Sequence, residues 1–332
     1  MSLLSPAEAE AGPHAGTASG RRTVTLLSGF LGSGKTNLLR ARLSEGRTVA
    51  PAVILNDFGA TLVDDVLLGT EERPPVVVSG GCACCTRRDE LARALTNLLD
   101  DEQQGRLPRS DSVVIETSGL SDPGPIAFTI AQDPVLKHHY ALARICVTVD
   151  AVTGAEALRR YEVAMRQLLA ADDVLVTKAD LVPPAEVEQL VRWVQRLNPS
   201  ASVTVTANGT VLHEEPPASS SAARPVSELG DETHTSAVET LELSTDRPLD
   251  WQALAVWLSL LLHRHGPDVL RVKGILQVHG VGPVAVHGVQ HVVHRPEHLT
   301  GPVRPGSRLV IIMRGLDPAL LERSFRAFLG ID

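Results

Sequence analysis

Eight residues near the start of the chain, Gly29-Phe30-Leu31-Gly32-Ser33-Gly34-Lys35-Thr36, have the types and spacing to hold a phosphate. Gly29, Gly32, Ser33 and Gly34 can turn backbone N–H groups inward around an anion, and a following helix adds the positive end of its dipole. Lys35 then sits against the β- and γ-phosphates, and the Thr36 hydroxyl is placed to ligate Mg²⁺. A bare glycine-rich turn is the competing reading. The apolar run before the loop and the helical pattern after it weigh against that.

Two later stretches extend the same chemistry. Val113-Val114-Ile115-Glu116-Thr117-Ser118-Gly119 is a strand-like run ending on a carboxylate and then a glycine. Glu116 suits Mg²⁺, directly or through water, beside a turn at Gly119 that senses a γ-phosphate; a strand-end capping acid is the alternative. Thr177-Lys178-Ala179-Asp180 also follows a buried run. Asp180 can accept from guanine N1–H and its exocyclic amine while the Lys178 stem lies along the ring. Adenine lacks that donor pair and would leave the carboxylate unpaired, which points to GTP over ATP.

Gly80-Gly81-Cys82-Ala83-Cys84-Cys85 carries a different chemistry. Three thiols this close, behind two glycines, can wrap one soft cation, and thiolates select Zn²⁺ or Cu(I) over hard ions. Arg87 and Arg88, with a helix expected near Asp89, favour the thiolate form. Three ligands leave a fourth position for exchange. A redox-active set, or three buried cysteines, would use the same residues otherwise. Cys146, inside Ile145-Cys146-Val147, reads as a small buried apolar residue. Asp57, in Asn56-Asp57-Phe58-Gly59, could meet Mg²⁺ or the thiol-bound metal, or belong to a solvated acidic loop. His279, His287, His291, His294 and His298 read as scattered surface imidazoles rather than a second metal site.

These residues need a scaffold, and the 332-residue length calls for two domains. The 31 Lys and Arg against 39 Asp and Glu leave a formal net charge of −8, which disfavours a nucleic-acid partner. Only four of the basic residues are lysine, and Lys35 and Lys178 are two of them. The longest apolar run, Leu254 to Leu262, is too short to span a membrane, which needs about 20 residues. Residues 1–22 show no secretory pattern and read as a disordered tail, so a cytoplasmic chain is expected.

Short β-branched runs then alternate with helical patterns: Thr23–Leu27, Ala52–Leu55, Val76–Val78, Ser112–Ile115, Ala143–Val149, Val174–Val176 and Ser202–Val205. Being apolar nearly throughout, they predict a doubly wound α/β domain with a mostly parallel sheet over residues 23–207. Residues 208–236, with Pro216-Pro217 and Ser219-Ser220-Ser221, read as a linker. Residues 237–332 read as a smaller α+β domain: strand Val238–Leu243, a helix begun by Asp250, strands near Arg271–Val278, Val284–His294 and Arg308–Met313, and a last helix opened by Asp317-Pro318.

Taken in order, GFLGSGKT, NDFG, GGCACC, ETSGLSDPGPI, VTVDA and TKAD resemble the CobW-like family of P-loop GTPases, and the stretch from RVKGIL through RPGSRLVIIMRGL resembles its C-terminal domain. The resemblance implies a metallochaperone that uses GTP binding and hydrolysis to acquire a transition metal and release it to a client. Lys35, Thr36, Glu116, Gly119, Lys178 and Asp180 match the nucleotide motifs, and Cys82, Cys84 and Cys85 the metal motif. Zinc is the expected cargo, with cobalt and iron clients also known in the family. The partner is then a client apo-metalloenzyme or cofactor-biosynthesis protein docking on the second domain; a homodimer is left open. This chain departs from the family in Asp57 for the usual Glu, Asn37 for a second Thr and Thr177 for the commoner Asn. An ATP-dependent phosphotransferase with a structural zinc and a non-catalytic GTP-dependent metal sensor are the rival readings.

Overall fold

A computed structural model describes residues 20–44, 51–55, 77–79, 88–208, 210–215, 238–290, 292–293, 296–299, 303 and 305–331. The chain divides into two compact units, Met1–Gln195 with Ala201–Pro217, and Arg196–Ser200 with Ala218–Asp332.

The first unit is built on eight strands: β1 (Arg22–Gly29), β2 (Ala52–Leu55), β3 (Val77–Ser79), β4 (Ser112–Glu116), β5 (Tyr140–Asp150), β6 (Asp173–Thr177), β7 (Ser202–Ala207) and β8 (Thr210–Glu215). They lie in the order β3-β2-β4-β1-β5-β6-β7-β8, and every pair is parallel except β7 with β8. Consecutive residues such as Val53-Ile54 and Val174-Leu175-Val176 are all buried, as strands covered on both faces must be. The covering helices are α1 (Lys35–Ser44), α2 (Arg88–Gln103), α3 (Pro123–Gln132), α4 (Leu136–His139), α5 (Gly154–Arg160), α6 (Glu162–Ala170) and α7 (Pro184–Leu197). Because β1 runs between β4 and β5, the loop at its carboxyl end opens at the switch point of the sheet, where ligands of open α/β folds bind.

One boundary differs from the sequence reading. Residues 210–215, expected as the start of the linker, form the antiparallel edge strand β8 on β7. An edge strand has one neighbour and need not be apolar throughout, and Leu212 is 60% exposed. Asn208-Gly209 is the dipeptide that favours a two-residue hairpin, and Asn208 has the φ of +49° that such a turn requires.

The elements of the second unit are β9 (Val238–Thr245), α8 (Trp251–His265), β10 (Val269–Val278), β11 (Gly282–Val289), β12 (Val292–Val293), β13 (Glu297–His298), β14 (Ser307–Arg314) and α9 (Pro318–Leu329). Its strands form a five-stranded antiparallel path, β12-β11-β10-β14-β9, with β13 added on β11. The single strand expected over Val284–His294 is two, broken where Gln290 takes φ +51°. Asp250 caps α8 by accepting from Ala253 N at 2.7 Å, and Asp317 caps α9 by accepting from Ala319 N at 2.9 Å. The two helices meet where Trp257 packs edge-on against Phe325, with ring centroids 5.1 Å apart, and donates Nε1–H to Ser324 Oγ at 3.1 Å. No helix among the described residues is long and apolar enough to cross a membrane.

Candidate nucleotide-binding site

Strand register assembles the site. Leu27 of β1 stands level with Glu116 of β4, Gly29 with Thr148 of β5, and Asp150 of β5 with Thr177 of β6. Four loops therefore leave the sheet side by side at its carboxyl edge.

Gly29 starts the phosphate loop with φ +138°, and a Cβ there would lie 2.2 Å from Thr148 Oγ1 and 2.6 Å from Thr148 O. Only glycine fits so close to the next strand. Ser33, 2% exposed, shares a hydrogen bond of 2.6 Å with Thr148 Oγ1, and Thr177 Oγ1 donates to Ser33 O at 2.7 Å. The loop is thus pinned to β5 and β6. Gly29→Ala is expected to lower unfolding stability by about 2–6 kcal/mol, the sum of overpacking and backbone strain, read from urea unfolding. A variant as stable as the parent would show that the close approach to Thr148 is not maintained in solution.

The phosphate end gathers three of the residues singled out by sequence. Lys35 Nζ donates to Gly29 O at 2.9 Å and Phe30 O at 3.2 Å, which curls the ammonium back over the loop. Thr36 Oγ1 donates to Glu116 Oε1 at 2.6 Å, so a hydroxyl from α1 and a buried carboxylate from β4 sit in contact. Two hard oxygen donors side by side fit the needs of Mg²⁺. The turn beyond Glu116 is tied down as well. Thr117 N donates to Leu27 O at 2.9 Å, and Gly119 packs so tightly on the phosphate loop that a Cβ would lie 2.7 Å from Leu31 N. Gln167 of α6, 1% exposed, donates Nε2–H to Gly119 O at 3.2 Å and Ser121 O at 2.9 Å. Asp122 then caps α3 through Gly124 N at 2.9 Å, with Pro123 in the first turn.

The other end holds the Thr177–Asp180 motif. Lys178 has φ +57°, and its Nζ donates to Gly32 O at 2.9 Å and Asp150 Oδ2 at 2.6 Å. Asp150 is 5% exposed and also accepts from Val152 N at 2.8 Å. Asp180, in the turn that follows, is exposed and lines a cleft of ≈ 510 Å³ together with Gly34, Asn37, Arg40, Lys178 and Asn208 among others. That volume lies within the usual range for small-molecule sites.

Thr148, Asp150, Gln167 and Arg40 carry no role in the sequence reading, although VTVDA, one of its motifs, contains the first two. For the first two a signal existed: polar residues two apart inside the otherwise apolar run Ile145–Asp150 point to one face at the strand's carboxyl end. Cys82, Cys84, Cys85 and Asp57 lie outside the described residues. Among the described residues no group of three or more His, Cys, Asp or Glu is placed to hold a metal. Cys146 is buried, and burial together with the Asp173 carboxylate pushes its thiol pKa up, so it stays a protonated core residue.

Fold and site together define a P-loop nucleotide-binding protein with a second, smaller α+β domain. Residues 23–205 match the CobW/HypB/UreG nucleotide-binding domain, and residues 238–329 match the cobalamin synthesis protein cobW C-terminal domain. The chain belongs to the CobW/HypB/UreG family. It is 34% identical over 303 residues to the zinc chaperone YjiA of Escherichia coli strain K12, across 87% of this chain and 93% of that protein. It is 33% identical over 195 residues to the zinc-regulated GTPase metalloprotein activator 1 of Schizosaccharomyces pombe, across 56% of this chain and 46% of that one. The crystal structure of Zn(II)-bound YjiA GTPase from E. coli superposes with a TM-score of 0.65 at 28% identity, covering 93% of this chain and 99% of that chain.

Proposed function

We propose that this protein is a cytoplasmic GTPase that binds zinc at Cys82, Cys84 and Cys85 and uses GTP binding and hydrolysis to pass it to a client metalloenzyme. The observation that carries the nucleotide half is the Thr36–Glu116 contact of 2.6 Å beside the pinned glycine loop. Thr36 and Glu116 would hold Mg²⁺, which when bound neutralises charge on the phosphates. Lys35 would leave its two carbonyl acceptors for the β- and γ-phosphates, and Asp180 would take the guanine N1–H and amine. Catalysis on this reading is positioning and charge stabilisation, with hydrolysis to GDP and phosphate slow until zinc or client is present.

The zinc half is supported by one relative, YjiA of Escherichia coli, which is named a zinc chaperone and has been solved as a Zn(II)-bound GTPase. Zinc is cargo here, held by soft thiolates with a position left open for exchange. The three thiols lie in the chain between Leu55 and Glu116, two residues that stand level on β2 and β4. The smaller α+β domain is where we place the client.

Coupling is what the proposal requires: GTP- and GDP-bound protein must hold zinc with different affinity, reciprocally. Chelator competition with GDP and with a non-hydrolysable GTP analogue is expected to give zinc affinities about 5- to 150-fold apart. Equal affinities would remove the delivery cycle.

A further inference from the structure

Guanine offers two recognition edges, and the residues named so far answer only one. Asp180 can accept from N1–H and the 2-amine. The opposite edge presents O6 and N7, both acceptors, which need donors. Most of the donors around the cleft are already committed. Thr177 Oγ1 donates to Ser33 O at 2.7 Å, Thr206 Oγ1 donates to Val176 O at 3.2 Å, and Lys178 Nζ lies between Gly32 O and Asp150 Oδ2. Among the described residues that line the cleft, three further side chains have donors that meet no acceptor there: Asn37, Asn208 and Arg40.

Arg40 differs from the two amides. Asn37 and Asn208 are exposed, where water satisfies them, while Arg40 is half-buried. Its Nε–H is sealed from solvent and meets no acceptor among the described residues, which leaves the two Nη groups as the donors that a ligand in the cleft can reach. Spacing adds to this. Asn37, Arg40 and Ala41 stand at i, i+3 and i+4 on α1, one helix face, and all three line the cleft with Asp180.

We infer that Arg40 is a base-reading residue, its guanidinium donating to O6 and N7 of a guanine whose opposite edge faces Asp180. The planar fork matches two adjacent acceptors. It also rejects adenine, which carries a 6-amino donor where guanine has O6. Specificity is then set from two sides, by a carboxylate for one edge and a guanidinium for the other. The inference rests on the guanine-nucleotide reading proposed above.

The test is a set of dissociation constants for GDP and 7-deaza-GDP, in which a C–H replaces N7. The parent protein is expected to bind GDP roughly ten-fold more tightly than 7-deaza-GDP. Arg40→Ala is expected to lose about ten- to hundred-fold for GDP and to bind the two nucleotides alike. Asn208→Ala and Asn37→Ala should keep the parent's preference. Should Arg40→Ala keep it too, or weaken both nucleotides equally as a ribose or phosphate contact would, the inference is overturned. Arg40→Gln, which retains length and one amide, is expected to fall between parent and alanine variant, and thermal unfolding of both variants separates lost binding from lost folding. Asp180→Asn distinguishes the two levels. If it binds GDP as the parent does, the guanine reading itself fails; if it weakens GDP while Arg40→Ala does not, only the role of Arg40 fails.

Discussion

Zinc affinity is expected to fall by roughly a thousandfold or more when Cys82, Cys84 and Cys85 are together replaced by serine. A thousandfold is about 4 kcal/mol, a modest share of the about 10–16 kcal/mol that structural zinc sites deliver. A serine hydroxyl neither ionises near neutral pH nor matches a borderline-soft ion, so three substitutions leave no strong ligand in this stretch. The remaining thiol cannot substitute: Cys146 is buried, and its pKa is pushed up by that burial and by Asp173. Competition against a chromogenic chelator reads the effect, and guanine nucleotide affinity serves as the control. In the parent, zinc affinity should also rise with pH as the thiols lose protons, a dependence the triple variant should lack. Retention of parental zinc affinity would move the cargo site elsewhere and end the proposal in its present form.

Turnover of GTP is expected to drop about 10²- to 10³-fold in Lys35→Ala, the range seen when one fixed donor to developing charge is removed. Lys35 is 9% exposed, and its Nζ, held over the loop by Gly29 O and Phe30 O, would exchange those carbonyls for phosphate oxygens. In a site partly shielded from water a single ammonium against developing charge has a large effect. Lys35→Arg should rescue poorly, because a planar fork on a longer stem does not fit a space shaped for a point charge. Single-turnover phosphate release measures both variants. An alanine variant within threefold of the parent would mean that another cation performs this role.

Much of the first unit is legible from sequence. Continuous β-branched runs predict buried parallel strands, and seven of the eight strands coincide with them. Glycine positions and a following helix pattern mark the phosphate loop because the backbone conformation there is a local property. The edge strand β8 is harder to see, since one exposed side allows Thr210-Val211-Leu212-His213-Glu214-Glu215 to look like linker. Gln167 is less visible still. It sits in a helix whose sequence shows an ordinary amphipathic pattern, and nothing local says that its amide will reach two carbonyls 46 and 48 residues away.

What the residues alone determined is the chemistry available: a loop that can bind phosphate, an acid suited to guanine, three thiols suited to a soft ion, and membership of a family. Those are short-range properties, written into residue type and spacing. Which of them meet is a matter for the tertiary structure. Thr36 reaches Glu116 across 80 residues, Ser33 reaches Thr148 across 115, and Lys178 finds Asp150 at 28. Each contact depends on strand order and parallel register, which bring the ends of β1, β4, β5 and β6 to one level. Packing of whole strands sets that register, through summed burial of side chains far from the site.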